Sequence, residues 1–279
     1  MRISLIVPTR RREQLFREFI HSVWEMTYHK KDIDLHIICD DDDTQSLDYV
    51  LATRKEYIKL DFHVHLVKRK NTIQEFNINE DYYNFAARIA QGDLIWILAD
   101  DLEIVTPNWD VDLITEVNNF SVKYPDKIFT ISILDNTKPP SHKLKKFGCF
   151  PCFTKEAKNA LEKTNNGGIL HRGIRTWGAD FVNVCIFDKE RETPMGFTVF
   201  GLDRILELHK KNYLNHKSWH TKQTGIDETH YWIGHVFNQM KLVGGRDGLP
   251  YTDTILRDEV PIIVGQLRKI IKEYDKKIG

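Results

Sequence analysis

Asp93-Leu94-Ile95-Trp96-Ile97-Leu98-Ala99-Asp100-Asp101 sets the expectation for everything around it. The run from Leu94 to Leu98 is continuously apolar, with Gly92 shortly before it and paired carboxylates after it. A short run of this kind fits a strand buried on both faces of a parallel sheet. The carboxylates then fall at the strand's carboxyl end, where open α/β sheets hold their ligands. Adjacent carboxylates repel each other and are costly to desolvate without a cation or hydrogen-bond donors. Oxygen-only ligands point to a hard ion, Mg²⁺ or Mn²⁺, of the kind that bridges to substrate phosphates. The plainer alternative is two solvated acidic residues in a turn.

Outward from this segment, the chain alternates strand and helix. Ile3 to Val7 reads as a buried strand stopped by Pro8. Arg12 to Tyr28 has helical periodicity, with Leu15, Phe19 and Val23 in one row and Phe16, Ile20 and Trp24 in the next. Ile33 to Cys39 is a second strand that runs into Asp40-Asp41-Asp42-Asp43, and Phe62 to Val67 a third. Glu80 to Ala90 reads as a helix with acidic residues at its amino end, which the helix dipole favours. This β-α-β-(α)-β-α-β order predicts an α/β fold with a right-handed, mostly parallel sheet.

Composition narrows the function. The chain has 279 residues, enough for a substantial core, and equal numbers of basic and acidic residues, 40 each. No global field therefore attracts nucleic acid or an anionic membrane. Met1-Arg2-Ile3-Ser4 runs straight into a strand with no targeting peptide, and no apolar run reaches transmembrane length. Four cysteines without a secretory signal suggest reduced thiols and a cytoplasmic setting.

Ile3-Ser4-Leu5-Ile6-Val7-Pro8-Thr9-Arg10, the acidic end of Ile37-Ile38-Cys39-Asp40-Asp41, and Asn84-Phe85-Ala86-Ala87-Arg88-Ile89-Ala90-Gln91-Gly92-Asp93 leading to Asp100-Asp101 together resemble the GT-A glycosyltransferases, especially the family-2 type. The resemblance is best over about the first half of the chain. It implies a single Rossmann-like GT-A domain over 1–250, with a nucleotide-binding half at 1–110 and an acceptor half at 111–250. A helical extension follows at 251–279. It further implies a nucleotide-diphospho-sugar donor, an acceptor hydroxyl on a glycan, lipid-linked glycan or protein, and Mn²⁺ or Mg²⁺ as cofactor. Pro8, Thr9, Arg10, Asp40, Asp41, Asn84 and Asp100 are the implied donor-binding residues, and Asp100 and Asp101 the implied metal ligands. The usual pattern of the family is Asp-x-Asp-Asp; here Leu98 stands in place of its first carboxylate. Of the four consecutive aspartates, one ligand contact is expected and the others belong to a solvated loop.

In the second half, Ile128 to Ile133 and Gly201 to Leu208 read as strands, and Trp109, Val111, Ile114 and Val117 as the inner face of a helix. Lys143 to Lys146 is a basic loop. Cys149-x-x-Cys152 is flanked by phenylalanines and lacks two further zinc partners, so core packing is favoured over redox or metal chemistry. Thr154 is positioned to cap a helix running to about Leu161. Thr176-Trp177-Gly178-Ala179-Asp180 opens another helix with Asp180 in its first turn, where free backbone N–H groups stabilise an anion. In inverting members of the resembled family the general base stands at such a helix start, usually in a Glu-Asp pair. Here Ala179 replaces the glutamate, and Asp180 is the implied catalytic base; a simple capping role is the alternative.

The resemblance also implies a histidine from this region as a further metal ligand; His209, which directly follows a strand, comes first, then His216, ahead of His220. Asp227 to Met240 reads as a helix and Gly244 to Gly248 as a flexible turn. The last helix, from about Glu259, puts Val260, Ile263, Val264, Leu267, Ile270, Ile271 and Tyr274 on one face, for packing on the catalytic domain or on a second subunit. Two other functions fit the same pattern. A nucleotidyltransferase would show a glycine in its phosphate loop, whereas Pro8-Thr9-Arg10-Arg11-Arg12 has none. A noncatalytic carbohydrate- or partner-binding protein is kept open by the loss of carboxylates at Leu98 and Ala179.

Overall fold

The computed structural model describes residues 1–69, 77–133, 150–164, 166–174, 179–193, 196–208, 211, 213–217 and 254–278. Its centre is a seven-stranded sheet built on the apolar runs. β1 (Ile3–Pro8) lies between β2 (Ile33–Asp40) and β4 (Leu94–Ile97), parallel to both, and β3 (Asp61–Val67) extends the sheet beyond β2. On the other side β4 pairs antiparallel with β7 (Cys152–Thr154), which in turn pairs antiparallel with β6 (Thr130–Ser132), and β10 (Ile205–Glu207) closes that edge. The sheet is thus mostly parallel, with β7 as the reversed strand. Two short antiparallel pairs lie apart from it: β5 (Leu102–Ile104) with β11 (Leu214–His216), and β8 (Glu190–Glu192) with β9 (Thr198–Phe200).

Strand alternation divides the apolar residues between two cores. Leu5, Val7, Leu35, Ile37, Leu94, Trp96 and Leu98 face one side, where α1 (Glu13–Met26), α2 (Thr44–Glu56) and α4 (Trp109–Lys123) cover them. Ile6, Ile38, Ile95 and Ile97 face the other. There they meet α3 (Phe85–Ile89), α5 (Lys155–Glu162), α6 (Ala179–Phe187) and the closing helix α7 (Val260–Ile278). Thr154 caps α5 as expected, accepting from Ala157 N at 3.2 Å. The face of α7 from Val260 to Ile271 is spent on the chain's own core, and Ile262 lies outside it, half exposed.

Several expected boundaries change. The stretch from Asn79 to Asn84 is a π-helical turn that widens into the shorter α3, so Glu80 to Ala90 is not one regular helix. The strand expected from Gly201 contracts to Ile205–Glu207, and the one at Ile128 to Ile133 to Thr130–Ser132. In α4 the inner face is Trp109, Leu113 and Val117, four residues apart; Val111 lies about half a turn round and is 39% exposed. Asp110 is buried with them because its carboxylate accepts from the backbone N–H of Tyr28 and of His29, both at 2.9 Å. Cys152 is buried in β7 with its thiol pushed well up by burial, unlike a reactive thiolate, whereas Cys149 lies outside the described residues. Lys143 to Lys146, Asp227 to Gly245, Gly248 and His220 also lie outside them.

Candidate active site

The sheet order turns back on itself between β4 and β1, so the two chains diverge from adjacent carboxyl ends. A crevice outside such a switch point is where doubly wound sheets bind ligands. Pro8 ends β1 opposite Ile38, and Thr9, Arg10 and Arg12 follow. Arg11 between the two arginines is left-handed (φ 52°), an unfavourable conformation for a residue with a β-carbon. The arginines flanking it reach opposite neighbours. Arg10 donates to Asp40 at 2.8 Å and to Asp42 at 2.7 Å at the end of β2. Arg12 donates to Asp100 at 2.9 Å and to Asp101 at 3.4 Å beyond β4.

The acidic pair is buried, Asp100 to 3% and Asp101 to 6% exposure. Burial and the neighbouring Asp101 charge push the Asp100 carboxyl up to about 6, against the pull of Arg12 and of the Thr9 hydroxyl, which donates at 2.8 Å. A divalent cation offsets this desolvated charge better than one shared guanidinium, so the donor set fits a hard ion. Leu98 is fully buried on the α1 side of the sheet, so the absent first carboxylate corresponds to a core position.

The four aspartates each have a distinct place. Asp40 is buried at the end of β2, where Arg10, Arg69 at 3.3 Å and the Tyr82 hydroxyl surround it. Burial raises its carboxyl despite these partners. Asp41 is exposed and accepts from Arg69 N at 2.9 Å. The hydrogen bond from Arg10 holds Asp42 below the usual carboxylate range, and Asp43 caps α2 through Ser46 N. Arg69, Tyr82 and Tyr49, whose hydroxyl is 2.8 Å from that of Thr9, were not singled out by sequence. The basic run Lys68-Arg69-Lys70 just past β3 was the available signal for Arg69.

Asn84 sits deeper. Its amide donates to the Leu170 carbonyl at 2.9 Å and to Glu80 at 3.0 Å, while its oxygen accepts from Leu170 N at 2.9 Å. It therefore clamps residues 166–174 against the π-helical turn. A β-carbon on Gly168 would come within 2.5 Å of this amide, which is why the chain needs glycine there. Asp180 is the second residue of α6, and its side chain lies outside the described residues, as does all of His209. The backbone of His216 pairs with Leu102, and Lys217 N donates to the Asp101 carbonyl at 2.9 Å. Of the two histidines, His216 is the one with a described backbone position beside the acidic pair; its side chain is likewise outside the described residues.

The sheet, its switch point and the acidic turn together make a GT-A-like α/β fold. Over residues 4–122 the chain matches the family described as Glycosyl transferase family 2. No curated protein sequence matches it. Among solved structures it resembles Staphylococcus aureus TarS at 13% identity and TM-score 0.51, covering 86% of this chain and 40% of TarS. A shorter TarS form, residues 1–349 with UDP, aligns at 14% identity and TM-score 0.50, covering 96% of this chain and 80% of that one. Mannosyltransferase PcManGT of Pyrobaculum calidifontis, in complex with GDP-Man and Mn²⁺, aligns at 13% identity and TM-score 0.50, over 100% of this chain and 76% of its own. At these identities the structural likeness carries the fold alone.

Proposed function

We propose that the chain transfers a sugar from a nucleoside-diphosphate-sugar donor to an acceptor hydroxyl, with inversion. The observation that carries this reading is the buried Asp100–Asp101 pair facing Arg12 at the sheet's switch point. The nucleoside is assigned to the carboxyl ends of β1 and β2, beside Thr9, Arg10, Asp40 and Asp41, and the diphosphate to the side of Arg12. Asp100 and Asp101, with His216 as the further candidate, would hold Mn²⁺ or Mg²⁺. When bound, such an ion supplies Lewis-acid stabilisation of the diphosphate leaving group. The GDP-Man and Mn²⁺ of PcManGT and the UDP of TarS support the donor class.

On the acceptor side, Asp180 is assigned as general base, taking the proton of the attacking hydroxyl from the start of α6. Residues 1–110 are the donor half in this reading and 111–250 the acceptor half, with α7 closing the domain. Thermal denaturation with UDP or GDP, with and without Mn²⁺, tests it. A nucleotide at a hundred times its Kd stabilises the native state by about 2.7 kcal/mol, and that shift is expected to need the ion. A donor panel followed by release of nucleoside diphosphate then identifies the sugar. Absence of any nucleotide-dependent shift would overturn the reading.

A further inference from the structure

Two neighbouring strands carry polar residues at alternate positions in their amino halves and beyond: Asp34 and His36 in β2, and Asp61, His63 and His65 in β3. Parallel pairing sets His36 directly beside His63, so these side chains gather on one face. Asp34 and His36 are buried, and the His63 side chain is 42% exposed at the sheet edge, which leaves a path to solvent.

We infer that Asp34, His36 and His63 form a zinc-class metal site at the amino end of the sheet, distinct from the donor site. Asp34 and Asp40 lie six residues apart on β2, so at about 3.3 Å per residue the two sites are about 20 Å apart. The ligand atoms of the three residues lie within 4.8 Å of one another. His36 Nε2 is 3.1 Å from Asp34 Oδ2, and His63 Nε2 is 2.7 Å from Asp34 Oδ1. Tetrahedral zinc with bonds near 2.0–2.1 Å spaces its ligands about 3.3 Å apart, so small side-chain rotations suffice.

A second observation points the same way. Asp34 Oδ1 is buried and accepts no hydrogen bond from the described residues, although His63 Nε2 is so near. Close but misaligned donor atoms are what two ligands of a common centre present. His36 Nδ1 stands 2.9 Å from His65 Nε2, the outer-shell contact that orients a ligating imidazole. Two imidazoles and one carboxylate suit Zn²⁺ better than Mg²⁺. Arg2 comes to 3.6 Å from Asp34 and hydrogen-bonds Asp61, whose carboxylate is 3.4 Å from His63 Nε2 and forms the rim of the site. Bound there, the ion would fasten edge strand β3 to β2. Through the Ser4 hydroxyl, which donates to Asp34 and accepts from Gly92 N, it would also engage β1 and the entry to β4.

The test uses the full chain, stripped with chelator and titrated with ZnCl₂ by calorimetry, alongside Co²⁺ absorption. One equivalent of zinc, a raised Tm and an intense tetrahedral Co²⁺ band are expected. His63→Gln, on the exposed edge, should weaken zinc by about a hundredfold or more, and His65→Phe by about ten- to a hundredfold. Asp100→Asn, which removes the candidate ligand of the donor-site ion, should keep the intense tetrahedral Co²⁺ band. Failure of the parent to bind zinc, a tetrahedral Co²⁺ band that survives His63→Gln, or loss of that band in Asp100→Asn would each overturn the assignment. His36→Gln, at a buried ligand, should lose the site as His63→Gln does; should it not fold, the His63→Gln result and the parent's Co²⁺ band still decide it.

Discussion

Asp100→Asn tests the centre of the proposed site most directly. The parent carboxyl is held up at about 6 instead of its ordinary 3.8, chiefly by burial and then by the Asp101 charge. Ionising it in the folded protein therefore costs on the order of 3 kcal/mol. The sign follows from linkage. A raised folded pKa means the native state holds the proton longer than the unfolded chain does. Stability from this group is full below the unfolded pKa and declines as pH rises from about 4 to about 6. Asparagine removes the titration and leaves Asp101 as the partner of Arg12. The variant should match or exceed the parent in urea denaturation at pH 7.5, and the parent's fall between pH 4 and 6 should be absent. Calorimetry at pH 7.5 should find Mn²⁺-dependent nucleotide binding abolished in the variant. In the parent, Mn²⁺ affinity should weaken by about tenfold per pH unit below 6, since the ion displaces one proton. Equal Mn²⁺ and nucleotide binding in parent and variant would refute the metal assignment. A variant that unfolds would refute the view that Asp100's charge is a burden on the fold.

Asp180→Asn should keep nucleotide affinity and lower transfer by about two to four powers of ten, the range for a lost general base; normal turnover would return Asp180 to a capping role. Leu98→Asp, which restores in sequence the first carboxylate of the resembled family, should place an unpaired charge in the core and cost on the order of 3–5 kcal/mol in chemical denaturation. A stable variant with tighter Mn²⁺ would show that residue 98 turns toward the site. Asn84→Ala strips the partners of Leu170 N and C=O and should cost on the order of 2 kcal/mol or more. Limited proteolysis should then cut first within residues 166–174.

The sheet was legible because its strands are short apolar runs that end in turn or acidic residues, and the acidic turn because Asp100-Asp101 follows the most continuous of them. β7 was harder: Cys152-Phe153-Thr154 is three residues long, and its reversed direction is set by pairing with β4 and β6, not by anything local. Val111 was misjudged by adjacency, since a helix face is set by spacing and Leu113 has the right one. The arginine network escaped for a different reason. Arg12 meets Asp100 across 88 residues and Arg69 meets Asp40 across 29, and only the parallel register brings such distant charges to one rim. The alternating Asp34, His36 and Asp61, His63, His65 pattern was visible in the sequence, but its meaning depends on β2 and β3 being neighbours.

The division of the apolar residues between two faces also orders the chain in time. α1, α2 and α4, which shield one face of β1, β2 and β4, are all complete by Lys123. Ile6, Ile38, Ile95 and Ile97 on the opposite face have only α3 by then and wait for α5, α6 and α7, the last of which packs through Ile271. At about 5–20 residues per second, a ribosome takes about 7 to 30 s to cover the distance from Lys123 to Ile271. For that interval a growing chain carries a half-covered sheet, and this exposed isoleucine surface is where a chaperone would bind or a stalled product would aggregate.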